Sequence, residues 1–112
     1  MITLLGNPIS TQNAYGQTGH RRYMKKEAKD TKDSYVWQAK SQWKKLPLTE
    51  NDLCINIILY FKDNRRRDWD NWHKISCDAL SGIVWEDDSQ IKEAHVFMEH
   101  DKKNPRIEIT IL

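Results

Sequence analysis

Cysteine is scarce in this chain. Cys54 and Cys77 are the only two in 112 residues, they share no CxxC spacing, and nothing around them indicates a disulfide or zinc framework. Both are expected to be ordinary core or surface thiols. Long apolar runs are also missing. No stretch approaches the roughly 20 consecutive apolar residues that span a bilayer, and Met1 to Leu5 is too short for the apolar region of a signal peptide. The reading therefore places the chain in the cytosol with no membrane partner. With three prolines and four glycines there is no Pro/Gly/Ser-rich linker, so residues 1–112 read as a single domain. Such a short chain has a modest core, and dimerisation would help it. The histidines His20, His73, His95 and His100 show no HExxH or paired spacing, which argues against a zinc hydrolase.

Net charge is only +2 and says little by itself about nucleic acid. Its distribution says more. Cations gather at His20-Arg21-Arg22, Lys25-Lys26 and Arg65-Arg66-Arg67, and acids at Glu86-Asp87-Asp88. A basic strip beside an acidic cluster suits a protein that holds phosphates while binding a cation, although any one run also reads as solvated surface.

Ile2 to Leu5 reads as a short strand closed by Gly6-Asn7-Pro8. From Ile9 to about Asp30 the chain is polar with almost no apolar periodicity, and it reads as a long substrate-contacting loop. Tyr35, Val36, Ala39 and Trp43 recur at helical spacing and predict a helix over about 31–45, ended by Pro47. Cys54 to Phe61 is apolar at nearly every position, which predicts a central strand covered on both faces. Asp70 reads as the N-cap of a helix running to about Ser81, with Trp72, Ile75, Ser76 and Ala79 as its packing stripe and Gly82 as its stop. Two strands, about Ala94 to His100 and Arg106 to Leu112, joined by Asp101 to Pro105, read as a hairpin.

The segment from Arg65 to Lys74 compresses cations and carboxylates into the junction between a strand and a helix. On extended backbone Asp68 and Asp70 project to the same side. Two anions so placed repel each other unless a cation sits between them, and all-oxygen ligation suits Mg²⁺ or Mn²⁺ rather than zinc. On a helix beginning at Asp70, Lys74 stands four residues on, rotated by only about 40° about the axis, so its ammonium overlooks the carboxylates. There it would offset charge developing on a phosphate or orient an attacking water. The plainer reading is a helix cap with an i,i+4 Asp–Lys pair worth a few tenths of a kcal/mol. Behind the anchoring Trp85, Glu86, Asp87 and Asp88 each offer a third carboxylate, and physical reasoning does not choose among them.

The run Arg65-Arg66-Arg67-Asp68-Trp69-Asp70-Asn71 through Lys74, followed by Asp78-Ala79-Leu80, Gly82 and Trp85-Glu86-Asp87-Asp88, resembles the RusA-type Holliday junction resolvases. The core of the resemblance covers about Lys62 to Ile91, and Pro8, Ser10, Asn13 and Arg21-Arg22-Tyr23 fit the layout more loosely. The resemblance implies an α/β (α+β) fold, a small mixed sheet of about four strands with two main helices. It also implies a Mg²⁺-dependent homodimer that cuts four-way DNA junctions by paired incisions in recombination and repair. Asp68, Asp70 and Asp88 would be the metal ligands and Lys74 the catalytic lysine, with Asp87 as a neighbour. Trp69 and Trp72 stand where smaller aliphatic residues are common, and His73 where a polar residue is usual, which leaves the shape of the DNA-facing surface open. Arg21, Arg22, Arg65, Arg66 and Arg67 are expected to contact DNA phosphates.

Five tryptophans invite a base-stacking reading, but Trp43, Trp72 and Trp85 are expected in the core, leaving Trp37 and Trp69 as candidates. Two rivals stand beside a junction resolvase: a less selective branched-DNA nuclease, and a non-catalytic DNA-binding module whose acids only cap a helix. A compact resolvase would suit a bacterial, phage or prophage setting.

Overall fold

A computed structural model describes residues 1–112. The order is β1 (Ile2–Leu5), a short helix α1 (Thr11–Ala14), β2 (Tyr15–Thr18), β3 (Arg21–Met24), the long helix α2 (Lys26–Gln42) and β4 (Leu53–Phe61). A 3-10 turn (Trp69–Asn71), α3 (Lys74–Leu80), a second 3-10 turn (Asp88–Gln90), β5 (Ile91–His100) and β6 (Arg106–Ile111) follow. Four strands form one mixed sheet in the order β1-β6-β4-β5, and β2 and β3 pair separately, so the expected α+β class holds. No helix is long and apolar enough to cross a membrane.

Along β4 the alternation is strict. Leu53, Ile55, Ile57, Leu59 and Phe61 are buried, while Cys54, Asn56, Ile58 and Tyr60 are half-exposed. The strand is central, as expected, but covered on one face only. The buried face meets Tyr35 and Ala39 of α2 and Ile75 and Leu80 of α3 in one core, and the helices leave the opposite face to solvent. Trp85, fully buried, completes that core, and Trp43 and Trp72 pack against it.

The strands β5 and β6 do not form the expected hairpin. They flank β4 on opposite sides, β5 parallel to it and β6 antiparallel, and the 101–105 connection crosses the end of β4, where Asp101 N–H donates to the Phe61 carbonyl (2.9 Å). Burial accounts for the order. Ile107 and Ile109 are nearly inaccessible and need neighbours on both sides, whereas β5, with Glu93, His95, Glu99 and His100 exposed, suits an edge. The other edge, β1, is protected differently. Gln42 of α2 accepts from Thr3 N–H (2.8 Å) and donates to Thr3 C=O (2.7 Å), and Gln38 accepts from Leu5 N–H (2.6 Å).

The 9–30 segment is not a loop but α1, a two-stranded hairpin and the first turns of α2. Its order was hidden because so little of it is buried: Ala14 and Ala28 are its only fully buried apolar residues, with Tyr15 and Met24 half-exposed. Ser10 caps α1 by accepting from Asn13 N–H (2.9 Å), and Gly19 (φ +59°) supplies the left-handed residue that the hairpin turn needs.

The Tyr35 hydroxyl is buried without a hydrogen-bond partner, and burial pushes its pKa up to about 12. An unpaired buried hydroxyl costs about 1–3 kcal/mol, so Tyr35→Phe is expected to hold or raise stability in urea denaturation. A loss above about 1 kcal/mol would mean that the hydroxyl is bonded.

Candidate active site

After Phe61 the chain leaves the sheet. Asp68 is extended (φ −80°, ψ 138°), but Trp69 to Asn71 form a 3-10 turn, and α3 begins only at Lys74, with His73 at its N-cap position. This corrects two expectations. Asp70 does not cap the helix, and the two carboxylates are not presented by one extended strand, because the turn intervenes. The turn is tied down from outside, since Gln12 N–H donates to Asn71 Oδ1 (3.1 Å), docking α1 onto this segment. Asp68 and Asp70 are both exposed.

Among the three downstream acids the environments differ sharply. Glu86 is exposed. Asp87 caps the second 3-10 turn, accepting from Ser89 N–H (3.0 Å) in a reciprocal pair with Gln90, and the Ser89 side chain first and its N–H second hold the Asp87 carboxyl below the usual range. Asp88 alone is gripped from the core. Its Oδ1 accepts from the indole N–H of buried Trp85 (2.8 Å) and from the Ser81 hydroxyl (2.7 Å). Gly82, at φ +86°, turns the chain after α3 so that its N–H bonds the Trp85 carbonyl (2.7 Å), which places Ser81 and Trp85 side by side. The segment is fixed further by Gln90, which donates to the carbonyls of Leu48 (2.8 Å) and Glu50 (2.9 Å).

Lys74 opens α3 and pairs with Asp78, one turn on, at 3.0 Å, not with Asp70. Its ammonium is stabilised by that bond first, and further by the charge of Asp88, so its pKa lies above the ordinary lysine value. His73, Lys74, Cys77 and Asp88 line a cleft of about 260 Å³ together with Ile57 and Ala94 of the sheet. Burial lowers the pKa of His73 and favours the neutral ring, its Nδ1 is buried without a partner, and its ring stacks on Trp69 (centroids 6.5 Å apart). Burial pushes the Cys77 thiol up to about 12, so it is no nucleophile at neutral pH. Ser81, Asp78 and His73 were not singled out as site residues from the sequence. Asp78 carried a signal through its spacing from Lys74 and its place in the run of the resemblance, and His73 only as a departure from that pattern.

The arginines divide. Arg21, Arg22 and Arg66 are exposed, and the Arg22 guanidinium lies over the Tyr15 ring at 4.1 Å. Arg65 is exposed but bonds Asp63 (3.1 Å). Arg67 is buried at its side chain, paired with Asp63 and lying over the Phe61 ring at 4.0 Å, so its guanidinium serves the fold. A groove of about 420 Å³ runs past Arg65 and Arg66 toward Glu99 and His100. Arg67 first, and Arg65 second, hold the Asp63 carboxyl well below the usual carboxylate range. Its contribution to stability is therefore complete above the unfolded value of about 3.9 and is lost as pH falls from there toward the folded value. Asp63→Asn is expected to be less stable than the wild type at pH 7, and the difference should shrink steadily below about pH 4 in denaturation series run at several pH values.

Asp68, Asp70 and Asp88 do not converge into a ready ligand cage. The one group of three or more His, Cys, Asp or Glu side chains with ligand atoms within 4.8 Å of one another is Cys54, Glu93 and His95, elsewhere on the sheet. Carboxylates with no cation between them repel, which favours their separation. The donor chemistry nevertheless fits a hard divalent ion. Asp88 is oriented through one oxygen, leaving the other unbonded, and the two remaining carboxylates are exposed, close in sequence, on a turn packed against β5.

The family model described as "Endodeoxyribonuclease RusA" matches residues 6–112. The chain is also similar to the crossover junction endodeoxyribonuclease rusA of Enterobacteria phage 82, 41% identical over 58 residues, which cover 51% of this chain and 48% of that relative. The match thus spans about half the length of the curated relative.

Proposed function

The chain belongs to the endodeoxyribonuclease RusA family, and on that premise we propose that it resolves four-way DNA junctions by metal-dependent phosphodiester hydrolysis in recombination and repair. Family membership implies a divalent metal requirement; our reading is Mg²⁺, with Mn²⁺ as a substitute, held by Asp68, Asp70 and Asp88. When bound, such an ion offsets charge on the scissile phosphate and makes water a better nucleophile. The protein's own groups supply the rest. Trp85 and Ser81 hold Asp88 in one orientation, and Asp78 stabilises the Lys74 ammonium in the same cleft, where it offsets charge on phosphate oxygens. Exposed Arg21, Arg22, Arg65 and Arg66 hold the DNA backbone, and Arg67 supports them through Asp63. Residues 1–112 act as one endonuclease domain in the bacterial cytoplasm. Two copies related by a two-fold axis would meet symmetry-related strands.

The observation that carries this reading is the grip on Asp88 from buried Trp85, beside Lys74. The test compares Mg²⁺-dependent cleavage of a four-way junction, a fork and a linear duplex. Paired, symmetric nicks confined to the junction are expected. Equal rates on the fork would make the chain a general branched-DNA nuclease. Binding without Mg²⁺-dependent cleavage of any substrate would favour a DNA-binding module.

A further inference from the structure

The solvent face of the sheet carries a set of side chains that the nuclease reading does not use. Cys54 of β4 and Glu93 of β5 are register partners, and His95, two residues along β5, points to the same face. Cys54 Sγ and His95 Nε2 each lie 2.9 Å from Glu93 Oε2. The backbone places them deliberately. Leu53 pairs with Ile91, but Cys54 pairs with Glu93, so a bulge absorbs Lys92 between the two rows. Without that extra residue Cys54 would face Lys92, and Glu93 and His95 would turn to the opposite side of the sheet.

We propose that Cys54, Glu93 and His95 form a binding site for a borderline-soft divalent metal ion of the Zn²⁺ class, separate from the carboxylate site. A thiolate, an imidazole and a carboxylate form a zinc-type donor set, which Mg²⁺ does not favour. Zinc bonds to these atoms run about 2.0–2.3 Å, so tetrahedral ligands sit roughly 3–4 Å apart. The present separations, all within 4.8 Å, reach that by side-chain rotation alone. Three protein ligands leave a fourth position for water. Binding requires the Cys54 thiol, now bonded to the Glu93 carboxylate, to release its proton to solvent, and His95 to be neutral, so one proton leaves per ion bound near neutral pH. The bond would tie the start of the edge strand to the sheet's centre.

Co²⁺ titration of the full chain, with Mg²⁺ in excess to occupy hard carboxylate sites, tests this independently of any nuclease activity. One Co²⁺ per chain is expected to give a thiolate-to-metal charge-transfer band and tetrahedral d–d bands, both displaced by Zn²⁺. Cys54→Ser should lose the charge-transfer band. Glu93→Gln and His95→Asn, both at exposed positions, should bind at least about tenfold more weakly. Cys77→Ser should behave as wild type, and Zn²⁺ should raise the Tm of the wild type but not of Cys54→Ser. An unchanged band in Cys54→Ser, its loss in Cys77→Ser, or no band in the wild type overturns the proposal.

Discussion

Asp70→Asn is expected to cut a four-way junction at least about a hundredfold more slowly than the wild type while binding it almost as well. The substitution keeps the shape of the side chain and removes its charge, which is what a hard divalent ion needs. Asp70 is exposed on the 3-10 turn and does not cap α3, so its loss should move stability by no more than about 0.5 kcal/mol. Loss of cleavage then reflects lost chemistry, not unfolding. Removing an anion beside bound phosphates weakens repulsion, so affinity in gel-shift or anisotropy measurements should hold or rise slightly. Wild-type cleavage by this variant would remove Asp70 from the ligand set and leave Asp68 and Asp88 to be tested alone.

The second large effect should come from a residue that touches neither metal nor DNA. Trp85→Phe keeps an aromatic ring in the core but deletes the N–H that holds Asp88 Oδ1 at 2.8 Å. Outer-shell partners of metal ligands are worth about 10–100-fold in metal affinity or activity, so the Mg²⁺ concentration for half-maximal cleavage should rise by that factor. Excess Mg²⁺ should restore most of the rate, which a purely structural lesion would not allow. Trp85 is fully buried, and the smaller ring leaves a void costing about 1–3 kcal/mol. Ser81→Ala separates the two effects, because it removes the other bond to Asp88 (2.7 Å) from a half-exposed position. Unaltered Mg²⁺ dependence in both variants would show that Asp88 is not a ligand.

Much of this protein was legible without coordinates wherever burial leaves a periodic trace. The strand Ile2–Leu5 was read to the residue and Leu53–Phe61 nearly so, because their apolar residues alternate over a single core, whereas the helix expected over about 31–45 runs Lys26–Gln42, since its first turns send only Ala28 into that core. The polar 9–30 segment defeated that approach, since a hairpin with both faces wet has no apolar alternation to detect. The pairing of β5 with β6 was misread for a related reason. A five-residue connection suits a hairpin, and only competition for the centre of the sheet, where Ile107 and Ile109 need cover, sends the two strands to opposite sides of β4.

The amino-acid sequence alone determined the chemical inventory: paired aspartates, a lysine and a trailing acidic cluster, together with the family they resemble. Which member of that cluster is held in place was a tertiary decision. Glu86, Asp87 and Asp88 are chemically near-equivalent in one dimension, and only folding sets the Trp85 indole and the Ser81 hydroxyl against one of them. The same holds for Cys54, isolated in the chain yet joined to Glu93 and His95 by strand pairing and a bulge. Local pattern reports what each segment buries, whereas hydrogen-bond partners distant in sequence exist only once the sheet has chosen its order.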